Sequence, residues 1–121
     1  MSHRILVVDD EPNIVISLEF LLKKEGYVVA VAGDGEAALQ QAGQFLPDLV
    51  LLDVMMPKKS GFEVCETLRA NPALAGVKIV MLTARGRETE VTKGLALGAD
   101  AYITKPFSTK ELVVRIKALL G

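Results

Sequence analysis

Five short apolar runs alternate with segments of helical period along the chain, and four of the runs lead straight into a charged or hydroxyl residue. Ile5-Leu6-Val7-Val8 precedes Asp9 and Asp10, Leu49-Val50-Leu51-Leu52 precedes Asp53, Ile79-Val80-Met81-Leu82 precedes Thr83, and Ala101-Tyr102-Ile103-Thr104 precedes Lys105. Strand-like runs alternating with helices are the pattern of βαβ units on a parallel sheet. In such a sheet every strand points the same way, so all five polar side chains are expected at one edge. That edge is where open α/β folds place their ligands.

The 121 residues, 50% of them hydrophobic, are expected to form a single domain spanning 1–121 with a full core of its own. Fourteen basic against 15 acidic residues give a net charge of -1 with no basic run. Direct nucleic-acid binding by this chain is therefore not expected. Nothing in the sequence is apolar for long enough to span a bilayer. The lone Cys65 and the absence of a signal-like apolar start point to a reducing cytoplasm. The one histidine, His3, has no partner pattern, which argues against histidine-based catalysis. Carboxylate and metal chemistry remain.

The spacing predicts a first helix from Pro12 to Glu25, with Ile14, Leu18, Leu21 and Leu22 on its inner face and Gly26 as its stop. A second strand is read at Val28–Ala32, and Asp34 is expected to cap a helix from Gly35 to Phe45. The wholly apolar run after Pro47-Asp48 belongs at the centre of the sheet. Past a loop containing Pro57, a third helix is expected over Gly61–Ala70, broken by Asn71-Pro72. A strand over Lys78–Leu82, a helix from Arg87 to Leu97 capped by Gly98, and a short fifth strand follow. Ser108-Thr109-Lys110-Glu111 reads as a capping box opening a last helix that ends near Leu120.

Taken singly, the polar residues have plain structural readings. Asp9 and Asp10 can cap the helix that follows them, Asp53 can serve a turn, and Thr83 can cap the fourth helix. Lys105 can be a solvated surface lysine, and Tyr102 a half-buried strand residue with a wet hydroxyl. Cys65, Met55, Met56 and Met81 read as packing residues. The combination points elsewhere. In a doubly wound five-stranded sheet of flavodoxin-like order 2-1-3-4-5, strands one and three are neighbours, and Asp9, Asp10 and Asp53 meet where the strand order reverses. Three crowded anions call for a cation, and hard oxygen ligands around an open site suit Mg²⁺. Lys105, set before Pro106, supplies a fixed positive charge beside them. The Thr83 hydroxyl can donate to a phosphoryl oxygen, with small Ala84 leaving room for that group. A carboxylate nucleophile, a metal, an ammonium and a hydroxyl donor are the ingredients of phosphoryl transfer.

With these residues in place the chain resembles, over essentially its whole length, the receiver domain of bacterial two-component response regulators, the family to which the chemotaxis receiver among the known examples of that strand order belongs. Val7-Val8-Asp9-Asp10-Glu11-Pro12 is similar to the family's acidic-pair segment, and Leu51-Leu52-Asp53-Val54-Met55-Met56-Pro57 with Gly61 to its phosphoacceptor loop. Leu82-Thr83-Ala84 and Gly98-Ala99-Asp100-Ala101-Tyr102-Ile103-Thr104-Lys105-Pro106-Phe107 are similar to the two remaining signature segments. The resemblance implies that Asp53 accepts a phosphoryl group from a phosphohistidine on a sensor kinase or phosphotransfer protein. It implies direct Mg²⁺ binding by Asp10, Asp53 and the Met55 carbonyl, with Asp9 acting through a metal-bound water. Lys105 would pair with the phosphoryl oxygens, the Lys105-Pro106 peptide would be cis, and Thr83 and Tyr102 would form the switch pair. Met55 and Arg85, two residues beyond Asp53 and Thr83, would face the attacking water and tune the lifetime of the phosphate.

The last signature segment, with Lys110, Glu111 and Arg115, resembles the subfamily that dimerises through helix four, strand five and helix five and often carries a winged-helix DNA-binding domain. Asp100 with Arg115, and Lys93 with Glu111, are the pairs expected across such a dimer. On this reading the chain catalyses its own phosphorylation and dephosphorylation but turns over no external substrate. A Mg²⁺-dependent aspartyl-phosphate phosphatase is the enzyme alternative. Such enzymes place a second aspartate two residues after the nucleophile, where this chain has Met55. A flavin-binding flavodoxin is the binding-module alternative; its first loop is rich in Ser, Thr and Gly, whereas Asp9-Asp10-Glu11-Pro12 would repel a phosphate.

Overall fold

Apolar runs of strand length become the strands of one parallel sheet because only a sheet covered on both faces can bury them completely. A computed structural model describes residues 3–56, 59–84 and 88–121. The elements follow in strict alternation: β1 (Arg4–Val8), α1 (Pro12–Lys24), β2 (Val28–Ala32), α2 (Gly35–Phe45), β3 (Leu49–Asp53), α3 (Gly61–Ala70), β4 (Lys78–Ala84), α4 (Glu88–Ala96), β5 (Ala101–Lys105) and α5 (Thr109–Leu120). The strands are parallel and lie in the order β2-β1-β3-β4-β5, the flavodoxin-like order expected from the sequence. Every residue of β3 is buried, as its uninterrupted apolar run requires of a central strand. No helix among the described residues is long and apolar enough to cross a membrane.

The period-two alternation of the strands divides the core between the two faces of the sheet. Leu6, Val8, Val50, Leu52, Ile79 and Met81 pack with Ala38 and Ala42 of α2 and with Val64, Cys65 and Leu68 of α3. Ile5, Val7, Leu49, Leu51, Val80 and Leu82 pack on the other face against Leu18 and Leu22 of α1 and Leu112 and Ile116 of α5. Cys65 is a buried packing residue, as expected, and burial pushes its thiol pKa up.

Most helix boundaries are set by the caps that the sequence signals. Asp34 Oδ1 accepts the Ala37 N–H at 2.8 Å, and Ser108 Oγ accepts the Glu111 N–H at 3.3 Å. Ser60 caps α3 in the same way, through the Glu63 N–H at 3.3 Å, a role not anticipated. Helix α1 closes at Lys24 with Glu25 as its C-cap, one residue earlier than expected, and Gly26 follows at φ +94°. Pro72–Leu74 forms a 3₁₀ turn capped by Asn71, where the sequence showed only a break. At the end of α2, Leu46 occupies the left-handed region at φ 51° without being glycine.

Two expectations change. Strand β4 extends two residues beyond Leu82, so Thr83 sits within the strand beside Thr104 and does not cap the fourth helix. That helix is described from Glu88, and the expected start at Arg87 lies outside the described residues, as do Pro57 and Arg85.

Candidate functional site at the carboxyl ends of the strands

Strands β1, β3, β4 and β5 deliver Asp9, Asp53, Thr83 and Lys105 to one edge of the sheet, and Asp10 follows directly after Asp9. Asp9, Asp53 and Thr83 are buried, whereas Asp10 is exposed. Asp9, Asp10 and Asp53 each bring a carboxylate oxygen within 4.8 Å of the others, so the switch point gathers three anions as expected. Lys105 reaches in from β5. Its Nζ lies 2.9 Å from Asp9 Oδ2, 3.6 Å from Asp53 Oδ1 and 3.4 Å from Glu11 Oε1.

Backbone donors hold two of the carboxylates in place. The Glu11 N–H donates to Asp9 Oδ1 at 2.9 Å, and the Met55 N–H to Asp53 Oδ1 at 3.3 Å. Burial and the charge of Asp9 raise the pKa of Asp53 to about 7, against the opposing pull of Lys105 and the Met55 N–H. Burial works against the Lys105 ammonium, but its hydrogen bond to Asp9 and the charges of Asp53, Asp9 and Glu11 outweigh that cost and hold its pKa above the usual value. One ammonium does not neutralise the cluster. An aspartate whose charged form is disfavoured beside two further carboxylates is a donor set that fits a hard divalent cation.

The remaining expectations fall as follows. The Lys105-Pro106 peptide is cis. Pro106 and Phe107 line a groove with Asn13, Ile14 and Ser17 of α1, beside Lys105. Tyr102 is exposed on the edge strand β5, not half-buried as its plain reading had it, and is in register with Met81. Met81 is buried and Met56 packs on the core, but Met55 is 58% exposed and is no packing residue. Its backbone is what serves the site.

Glu11 was read only as part of the acidic segment, yet it supplies a third carboxylate to Lys105. The signal was its place directly after Asp9-Asp10. Three of the four charges expected to pair across a dimer, Asp100, Arg115 and Lys93, are engaged within the chain. Asp100 Oδ2 bonds Arg69 Nη2 and accepts the Ile79 N–H at 2.8 Å. Arg115 Nη2 donates to the Tyr102 carbonyl at 3.1 Å, and Lys93 Nζ sits 4.5 Å above the Phe62 ring.

The family model described as the response regulator receiver domain matches residues 5–117. The chain is 50% identical over 120 residues to the alkaline phosphatase synthesis transcriptional regulatory protein PhoP of Bacillus subtilis, covering 99% of this chain and 49% of that protein. It is likewise 50% identical to the DNA-binding response regulator MtrA of Mycolicibacterium smegmatis, covering 99% of this chain and 51% of that protein. The chain thus spans about half the length of these relatives. Among solved structures, a putative response regulator from Chloroflexus aurantiacus superposes with a TM-score of 0.95 at 39% identity, over 99% of this chain and 98% of that one. The chemotaxis response regulator CheY4 of Vibrio cholerae superposes with a TM-score of 0.93 at 30% identity, over 98% of this chain and 99% of that one. Sequence, fold and strand-end constellation agree, and the chain belongs to the response regulator receiver domain family of two-component signalling.

Proposed function

We propose that Asp53 is the phosphoacceptor of this receiver, taking a phosphoryl group from a phosphohistidine on a sensor kinase or phosphotransfer protein. The observation that carries the reading is the placement of the Asp53 carboxylate: buried at the end of β3, flanked by Asp9 and Asp10, and 3.6 Å from the Lys105 ammonium. An oxygen of Asp53 attacks phosphorus, the P–N bond to the histidine breaks, and the imidazole leaves as the new P–O bond forms an acyl phosphate. Hydrolysis of that bond returns the carboxylate and inorganic phosphate. Lys105 neutralises charge on the transferring oxygens, and the Thr83 hydroxyl at the end of β4 donates to one of them.

Asp9, Asp10, Asp53 and the Met55 carbonyl are the groups that would hold Mg²⁺. When bound, the ion neutralises the carboxylates and the phosphoryl oxygens. No external substrate is turned over, so the chain is a switch and not an enzyme in the ordinary sense. Thr83 and Tyr102 are the proposed switch pair, biasing the surface formed by α4, β5 and α5 toward self-association. The names of PhoP and MtrA support an output in transcription. A cytoplasmic location is in keeping with the unpaired Cys65.

Incubation with acetyl phosphate and Mg²⁺, read by intact-mass spectrometry, tests the assignment. One phosphate adduct is expected on the parent chain and none on Asp53→Asn. An adduct persisting in Asp53→Asn overturns it. Steady turnover of phosphomonoesters would instead favour a phosphatase.

A further inference from the structure

We infer that Gly35 is a positioning residue for the acceptor loop, the segment after Asp53 whose Met55 N–H holds the Asp53 carboxylate. The inference rests on the phosphoacceptor reading. Gly35 opens α2 and is buried. Among the described residues the glycines of positive φ are Gly26, Gly98 and Gly121, so the backbone conformation of Gly35 does not demand glycine. What demands it is space. A methyl group on Gly35 would stand 2.5 Å from Lys59 Cβ, 2.5 Å from the Lys59 carbonyl oxygen and 3.1 Å from its carbonyl carbon. Non-bonded carbons settle at roughly 3.5–4.0 Å, so about an ångström of displacement is required. The atoms in the way are backbone and Cβ, which no rotamer change removes.

Of the two partners, the loop is the one that must yield. Helix α2 is tied by the Asp34 cap on Ala37 and by Ala38 and Ala42 in the core. Beyond Lys59 the described chain is held in turn. Ser60 is fixed as the cap of α3, the Gly61 N–H donates to the Val54 carbonyl at 2.9 Å, and a Cβ on Gly61 would collide with the Asp53 carbonyl oxygen. Lys59, Ser60 and Gly61 are therefore held between Gly35 on one side and the Asp53–Val54 backbone on the other. Met55, next to Val54, donates to Asp53 Oδ1. A push on Lys59 passes through Ser60 and Gly61 to that backbone and so to the Asp53 carboxylate, where positional tolerance is about half an ångström.

Gly43 provides the control within the same helix, because a Cβ there would meet nothing within 4 Å. Alanine for glycine in a helix ordinarily stabilises. Gly43→Ala is expected to melt higher than the parent while its Mg²⁺ affinity, by titration calorimetry with Mg²⁺ alone, and its labelling by acetyl phosphate stay unchanged. Gly35→Ala is expected to lose about tenfold in Mg²⁺ affinity, to label about tenfold more slowly at saturating Mg²⁺, and to shift the Met55 methyl resonance. A purely structural glycine would lower the melting temperature and leave the Mg²⁺ dissociation constant of the folded chain alone. Parental Mg²⁺ affinity and labelling in Gly35→Ala overturn the inference. If that variant does not melt cooperatively, Gly35→Ala/Lys59→Gly is read in its place. It removes one obstructing atom and frees the peptide to turn, so partial recovery of Mg²⁺ binding is expected and none overturns the inference. A parent chain that takes neither Mg²⁺ nor label sinks the phosphoacceptor reading itself.

Discussion

Lys105 Nζ lies closer to Asp9 Oδ2, at 2.9 Å, than to Asp53 Oδ1, at 3.6 Å, so the ammonium rests on the neighbour of the proposed acceptor and not on the acceptor itself. Asp9 is fully buried apart from this contact and its bond from the Glu11 N–H, and it keeps the ammonium within reach of the acceptor while leaving Asp53 only partly compensated. That arrangement accounts for the raised pKa of Asp53 beside a lysine whose own pKa is also raised.

Removing that lysine isolates a buried charge. Lys105→Ala is expected to lower unfolding stability without metal by about 3–5 kcal/mol, the range seen when one partner of a buried pair is deleted. The loss should shrink in saturating Mg²⁺. Urea denaturation with and without the ion checks both parts, and equal losses in the two conditions would count against the shared-charge account.

The raised pKa of Asp53 makes metal-free stability depend on pH. Its folded pKa of about 7 exceeds the ordinary 3.8, so this group's contribution is complete below pH 3.8 and is lost as pH rises through 7. Chemical denaturation without metal should therefore show more stability from this group at pH 5 than at pH 8, with the difference abolished in Asp53→Asn. Mg²⁺ at a hundredfold its dissociation constant should then restore about 2.7 kcal/mol at pH 8.

Helix α2 ends in a strained residue. Leu46 holds φ 51° with its side chain 49% exposed, so it pays for a left-handed conformation without gaining much burial. Leu46→Gly is expected to stabilise by up to about 1 kcal/mol, since the cost of Cβ in that region exceeds what the side chain returns. Thermal melting checks this, with acetyl phosphate labelling unchanged.

At the opposite end of the sheet, Arg69 of α3 ties together the connections that lead into β4 and β5. Its Nε donates to the Gly98 carbonyl at 2.7 Å, its Nη1 to the Val77 carbonyl at 2.6 Å, and its Nη2 to Asp100. Arg69→Ala takes this donor from the Gly98 and Val77 carbonyls and leaves Asp100 with the Ile79 N–H but no counter-charge, and should cost about 2–4 kcal/mol. Mg²⁺ affinity, measured by calorimetry on the folded variant, should not move.

Self-association through α4, β5 and α5 has to contend with the contacts that Lys93, Asp100 and Arg115 already make within the chain. Sedimentation velocity at tens of micromolar should show a monomer without a phosphoryl mimic and a dimer with Mg²⁺ and beryllofluoride. A monomer under both conditions would refute the dimer.

The alternation of apolar runs with helical segments, the burial of Leu49-Val50-Leu51-Leu52 at the sheet centre, and the caps at Asp34 and Ser108 were legible because each depends on residues close in sequence. The meeting of Asp9, Asp10, Asp53 and Lys105 was legible too, since parallel strands of known order place their ends together. The capping alternative for Thr83 fails because strand length depends on pairing with β5, which local sequence does not encode. Met55 was misjudged because a loop residue next to buried strands looks apolar for packing, yet its side chain faces out while its backbone holds Asp53. Glu11 on Lys105, Arg69 on Asp100 and Lys59 against Gly35 join residues far apart in the chain. Sequence alone determined the elements, their order and the chemical kit at one edge, all of which follow from periodicity and parallel strand direction. Tertiary structure decided which charge rests on which, and which glycine must stay bare, because distances of a few ångströms between distant segments exist only once the sheet and its helices have packed.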